Sequence, residues 1–204
     1  AHLSSQAALR ALRGAPVSAE VTPMHLLLDL TADLGARGKV NPPLRPPAER
    51  VGLWQAFVGG SVQVLATDHA PHTLDEKTQP FDQAPPGAPN VETVYPLMFA
   101  LVQRGELGLD VLVRTLCRQP ATLFGLRGKG ALEVGQDADI TVFDPRARTT
   151  IRARDLHSKA GWSPFEGREA IFPTATFLRG TLVAEARELE AARQGRWIEF
   201  ADAG

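Results

Sequence analysis

The sequence predicts an α/β fold with parallel strands, followed by a smaller β-rich region. Three observations carry this. Strand-like and helix-like segments alternate over the first 66 residues. An acid and two histidines follow directly on the last of these strands, in "LATDHAPHTL" (65–74). From about residue 128 the pattern changes to short β-branched segments cut by Gly and Pro.

Taken in order, "SQAALRALR" (5–13) is rich in Ala and Leu, with Ser4 or Ser5 as N-cap, and Gly14 and Pro16 stop it. It reads as a helix. "VSAEVT" (17–22) is a short β-branched strand, and "HLLLDL" (25–30) a helical turn. "GKVNPPLRPP" (38–47) must be loop, because four prolines in ten residues remove too many amide donors. Residues 48–60 carry apolar side chains at Val51, Trp54, Phe57 and Val58, a helical period that ends at Gly59-Gly60. "VQVLA" (62–66) is a strand. With a strand inferred at the very start, the order is strand, helix, strand, helix, strand. Residues 71–90 form a long Pro-rich loop, and a loop of that length in a compact domain is usually functional. Helices follow at 91–103 and 108–117, with a shorter one at 120–126. Beyond 128, "DITVF", "TTIRA", "TATFLRGTLVAE" and "RWIEF" are β segments, and a boundary between two regions falls near 128–138.

The composition excludes several classes. The chain has 204 residues, one large domain or two small ones, and 44% are apolar. The net charge is −1 with scattered Lys and Arg, which argues against nucleic acid as a partner. No apolar run approaches the roughly 20 residues of a membrane span, and "AHLSSQAALR" does not read as a signal peptide. The single Cys117 has no internal disulfide partner and reads as a buried thiol, so a reducing cytoplasm is the expected setting.

The chemistry concentrates at residues 68–72. Functional groups in parallel α/β folds sit on loops at the carboxyl ends of strands. Asp68 follows the strand 62–66 directly. A carboxylate there needs a cation, a metal or hydrogen bonds. Beside His69 and His72 it has the makings of a zinc ligand or a general base. A generic Asp-His loop can equally be structural, with the Asp capping a turn.

The wider sequence narrows this. "EVTPMHLLL" (20–28), "KVNPPLR" (39–45), "ATDHAPHTLDEK" (66–77), "GKGALEVGQDADITVFDP" (128–145) and "SKAGWSPFEG" (158–167) occur in this order. Together they resemble the class-I dihydroorotases of the amidohydrolase superfamily, over nearly the whole chain and most weakly after about 185. The resemblance implies a (β/α)8 barrel flanked by a β-sandwich. It also implies reversible hydrolysis of L-dihydroorotate to N-carbamoyl-L-aspartate with the help of zinc. Asp68 would be a metal ligand and the catalytic proton carrier, and His2 in "AHLSS" a second ligand. His72 would hold the substrate carboxylate, with Asn41 and the backbone of Pro86 and Gly87 as further substrate contacts. His69 is expected to be structural, Glu20 to support the site from a strand end, and Arg45 and His157 to be solvated. Relatives have two histidines in "TPHHL" where this chain has Met24-His25.

The resemblance also implies what the chain lacks. The family's His-x-His pair and its bridging Lys or Asp have no counterpart in these 204 residues. The expectation is therefore the C-terminal part of the enzyme, with barrel strands six to eight in residues 1–130 and the sandwich in 131–204. Its partners would be a small-molecule substrate and the missing N-terminal half, with a second copy or aspartate carbamoyltransferase as further candidates. Alone, the chain should bind zinc poorly, and loop 71–90 should depend on the missing half for its position. An allantoinase or hydantoinase, and an inactive scaffold, are the competing readings.

Overall fold

The computed structural model describes residues 1–189 and 194–198. The first half is a two-stranded parallel sheet, extended by a single parallel bridge to residues 1–3, with helices between these segments. Residues 1–3 lie beside β1 (Glu20–Val21), with Leu3 N–H donating to Glu20 O at 2.9 Å and Glu20 N–H to Ala1 O at 2.8 Å. On its other side β1 pairs in parallel with β2 (Val64–Leu65), Glu20 against Val64 and Val21 against Leu65. The strands are shorter than the 17–22 and 62–66 expected, but their direction and order are as read. They are buried by consecutive apolar positions: Leu3, Val21, Val62 and Leu65 are all at most 2% exposed.

The connecting helices follow local rules. α1 (Gln6–Ala11) is capped by Ser5, whose hydroxyl accepts the Ala8 N–H at 3.1 Å. α2 (Pro23–Leu27) and α3 (Pro47–Val58) both start on proline, which gives up no helical hydrogen bond there. α3 ends at Gly59, and Gly60 takes the left-handed conformation. α5 (Val94–Gln103) buries Val94, Leu97, Met98 and Leu101. Leu53, Phe57, Met98, Leu101 and Leu112 join the strand residues in one core. Among the described residues no helix is long and apolar enough to cross a membrane.

Two segments differ from expectation. Loop 71–90 contains a helical turn, α4 (Leu74–Lys77), closed by a capping box between Thr73 and Glu76. The helix expected at 108–117 is longer and not uniform: α6 (Leu109–Val113) runs into a π turn (Arg114–Arg118) and then α7 (Gln119–Leu123). Pro120 has no N–H to give back to this run, and the Thr115 hydroxyl bonds the Val111 carbonyl at 2.8 Å. Both features accompany the widened turn. Cys117 lies in it half-buried, 2.9 Å from the Tyr95 hydroxyl, rather than deep in the core.

The β-rich region holds an antiparallel sheet in the order β3 (Ile140–Val142), β6 (Ala175–Leu178), β7 (Thr181–Glu185), β8 (Glu188–Leu189). "DITVF" and "TATFLRGTLVAE" thus share one sheet. "TTIRA" does not join it. β4 (Arg148–Thr150) pairs instead with β5 (Glu169–Ile171), which lies against α5. "RWIEF" was expected as a strand; its described part, 196–198, has no regular structure, and the rest lies outside the described residues. The return segment 151–172 builds a second core under the loops of the first half. There Ile151, Trp162, Phe165 and Phe172 pack with Met24, Val40, Leu44 and Ala88.

Candidate active site

The sheet's carboxyl edge collects the residues singled out by sequence. His2 is at the end of the first strand. Its Nε2 is buried and has no hydrogen-bond partner. Two strands away, Asp68 follows β2, exposed and in the left-handed conformation with φ 45. Between them stands His25, 2% exposed, its ring 5.1 Å from that of His2 and edge-on to it. His25 Nε2 lies 2.8 Å from Pro42 O, which can only accept, so Nε2 carries the proton. Nδ1 then accepts from the Thr22 hydroxyl at 2.8 Å. Burial pushes His25 down to about 4. The Pro42 carbonyl opposes that shift, nearby His2 and Arg45 add to it, and nearby Asp68 counters it. The ring is therefore neutral at ordinary pH.

Three turns form a wall beside these groups. Residues 39–42 carry Asn41, which is exposed. Residues 68–73 carry His72, half-buried, with Nδ1 3.8 Å from Glu76. Residues 85–88 carry Pro86 and Gly87. Gly87 sits at φ +140, and a Cβ there would come within 2.5 Å of Ala70 O and 3.2 Å of the His72 ring. Only glycine lets these turns touch. The Gly87 N–H donates to Lys39 O at 3.0 Å and Ala70 N–H to Ala88 O at 3.2 Å.

His69 is structural, as read. Its Nδ1 faces the N–H groups of Asn90 and Val91, both at 3.1 Å. Arg45 is not solvated as expected: its Nε donates to Ser4 Oγ at 2.9 Å, bracing residues 39–45 against the first strand. Glu20 serves through its backbone in the sheet. His157 is exposed yet tied to Glu92, Nδ1 to Oε1 at 2.9 Å. A cleft of about 250 Å³ beside His157 and His69 does not include His2 or Asp68.

His2 and Asp68 are two ligand types suited to zinc, and the unpartnered Nε2 of His2 fits a metal bond. Among the described residues no group of three His, Cys, Asp or Glu side chains could hold a metal ion. Any metal held here would need ligands besides these two.

The chain is 40% identical to a dihydroorotase of Halobacterium salinarum over 193 residues, 94% of this chain and 46% of the relative. It is 46% identical to one from Methanosarcina acetivorans, over 80% of this chain and 36% of the relative. The chain is a homologue of the dihydroorotases. This dihydroorotase homologue spans less than half the length of the curated relatives it matches. Its fold superposes on an L-hydantoinase from Arthrobacter aurescens with a TM-score of 0.88 and 32% identity, covering 93% of this chain and 45% of that one. A D-hydantoinase from Thermus gives 0.87 and 31%, covering 94% and 45%. No family model matches the sequence.

Proposed function

We propose that this chain is the C-terminal part of a zinc-dependent dihydroorotase. Residues 1–130 supply strands six to eight of a (β/α)8 barrel, and 131–204 supply part of a flanking β-sandwich. The whole protein would hydrolyse L-dihydroorotate reversibly to N-carbamoyl-L-aspartate in pyrimidine synthesis. The observation that carries this reading is a buried, unpartnered histidine nitrogen and a carboxylate at one edge of a parallel sheet, walled by the 68–72 motif.

His2 and Asp68 would hold the zinc, with the remaining ligands coming from the rest of the protein. The metal, when bound, supplies Lewis-acid polarisation and an acidified water. The Asp68 carboxylate takes the proton of the attacking water and returns it to the ring nitrogen that leaves. His72 turns Nδ1 toward Glu76, and its Nε2, which makes no hydrogen bond among the described residues, would take the substrate carboxylate. The exposed Asn41 amide would be a further contact for the same anion. Because the Gly87 N–H is taken by Lys39 O, the contact left at residues 86–87 is through carbonyl oxygen, which suits a ring N–H.

The hydantoinase neighbours favour one second reading, a cyclic amidohydrolase for substrates without the carboxylate. Assaying the complete protein on dihydroorotate, hydantoin and allantoin decides between them. Turnover of dihydroorotate alone supports the proposal. Turnover of hydantoin or allantoin but not dihydroorotate overturns it. A protein that binds no zinc and turns over none of the three would be the inactive scaffold, with aspartate carbamoyltransferase as the partner to test.

A further inference from the structure

Lys77 ends the exposed motif "TLDEK", yet it is 1% exposed while Leu74, Asp75 and Glu76 lie at the surface. Its ammonium donates to Pro85 O at 2.8 Å and to Lys39 O at 3.0 Å. Lys39 O is the same atom that accepts the Gly87 N–H. The ammonium also lies 5.8 Å from the centre of the Trp162 ring, and the Trp162 Nε1–H donates to His72 O at 2.9 Å. Each of the three turns of the wall thus has a strut into one buried point. Residues 39–42 are held through Lys39 O, 85–88 through Pro85 O and Gly87 N, and 71–73 through Trp162.

We propose that Lys77, seated against Trp162, is a positioning residue that locks the three turns into one unit and thereby sets how tightly substrate is held. This rests on the assignment of Asn41, His72, Pro86 and Gly87 to substrate above. Simple space-filling does not account for the side chain. A methionine would occupy much the same volume without a buried charge, and a buried charge costs free energy unless it is paired. Among the described residues no carboxylate lies within ion-pair reach of Lys77; its partners are carbonyls. Burial, helped by nearby Lys39, draws it down to about 8, so the fold sustains a cation that packing alone would not select. What the cation gives in return is geometry: two donors on one atom reach carbonyls of two separate turns while the ammonium faces the Trp162 ring that braces the third.

The test is Lys77→Met in the complete protein, read by hydrogen exchange at three reporter amides and by kinetics. The reporters are Lys39, Ala70 and Gly87, which donate to Ala36, Ala88 and Lys39 carbonyls. Exchange at all three should quicken by roughly tenfold or more, with the amides of α5 unchanged. KM for dihydroorotate should rise about tenfold, with kcat and zinc content within about twofold of wild type, the signature of lost substrate binding. Trp162→Phe removes the indole donor together with part of a buried ring and should quicken Ala70 more than Gly87, so a Lys77→Met protein that fails to fold does not end the test. Unchanged exchange at the reporters, or a rise shared equally by α5, overturns the clamp. Quickened exchange with unchanged KM overturns its link to substrate. Wild-type protein inactive on dihydroorotate would instead overturn the proposed function, and the exchange results would still decide the clamp.

Discussion

Asp68 is the proton carrier in the proposed reaction, and its replacement by Asn is the most direct test of that role. The amide cannot take up the proton, and it is a poorer zinc ligand. Asp68→Asn in the complete protein should lose at least about 100-fold in kcat with the fold intact. Wild-type turnover with normal zinc content would remove Asp68 from the mechanism. His25 yields a prediction in pH. Its folded value, about 4, lies below the ordinary 6.5, so the unfolded chain binds more protons between those limits. Stability is therefore full above about pH 6.5 and declines as the pH falls toward 4, by about 3 kcal/mol in all. Denaturant melts of metal-free protein at pH 7 and 4.5 should show wild type losing about 2 kcal/mol more than His25→Gln. Equal losses would mean that His25 does not titrate this way. Asp68 and His72 stand out in the sequence because they sit inside a compact motif. His25 and Lys77 do not. What matters about them is burial against carbonyls 17 and 38 residues away, which no local pattern reports.

Among the elements, the turn at residues 85–88 carries the sharpest constraint. Gly87 holds φ +140 and leaves no room for a Cβ against Ala70 O. Gly87→Ala must shift either this turn or the 68–72 turn, at a cost of roughly 1–3 kcal/mol. The expected outcome is a lower melting temperature together with a raised KM. A variant with wild-type KM would detach this turn from substrate binding. The strand and helix order of residues 1–66 was legible because α/β units repeat a simple alternation of patterns. Strand lengths were not, since hydrogen bonding across the sheet sets them: only Glu20–Val21 and Val64–Leu65 pair fully. The π turn at Arg114–Arg118 was hidden for a related reason, as one widened turn leaves the apolar period of 108–117 almost undisturbed. The placement of "TTIRA" depended on which strand it met, Glu169–Ile171 rather than the four-stranded sheet.

At the largest scale, among the described residues no strand pairs with the outer side of residues 1–3 or of β2 in the parallel sheet. Unpaired strand edges and the proposed two-ligand half-site would both be completed by a further piece of protein. The isolated 204-residue chain should bind zinc substoichiometrically and turn over no dihydroorotate. Adding the remaining part of the protein should restore both together. Metal analysis and an activity assay on each preparation check this. Stoichiometric zinc with turnover from the isolated chain would mean that the ligands are other than His2 and Asp68. The change of composition near residue 128 precedes the antiparallel strands, which begin at Ile140. The return of 151–172 beneath the site loops was not legible in the sequence, because Trp162 and Phe165 read as apolar residues without stating which core they complete.

The left-handed backbone at Asp68 restricts what mutation can leave there. At φ 45 the residues that sit with least strain are Gly, Asn and Asp, and of these only Asp is an anion. A lineage released from selection for the reaction would drift along that short menu, toward Asn or Gly, long before it accepted Glu or a branched side chain. Relatives that had abandoned catalysis would then keep the turn and lose the charge. A survey of natural variants at this position could be read as a record of which lineages still perform the chemistry.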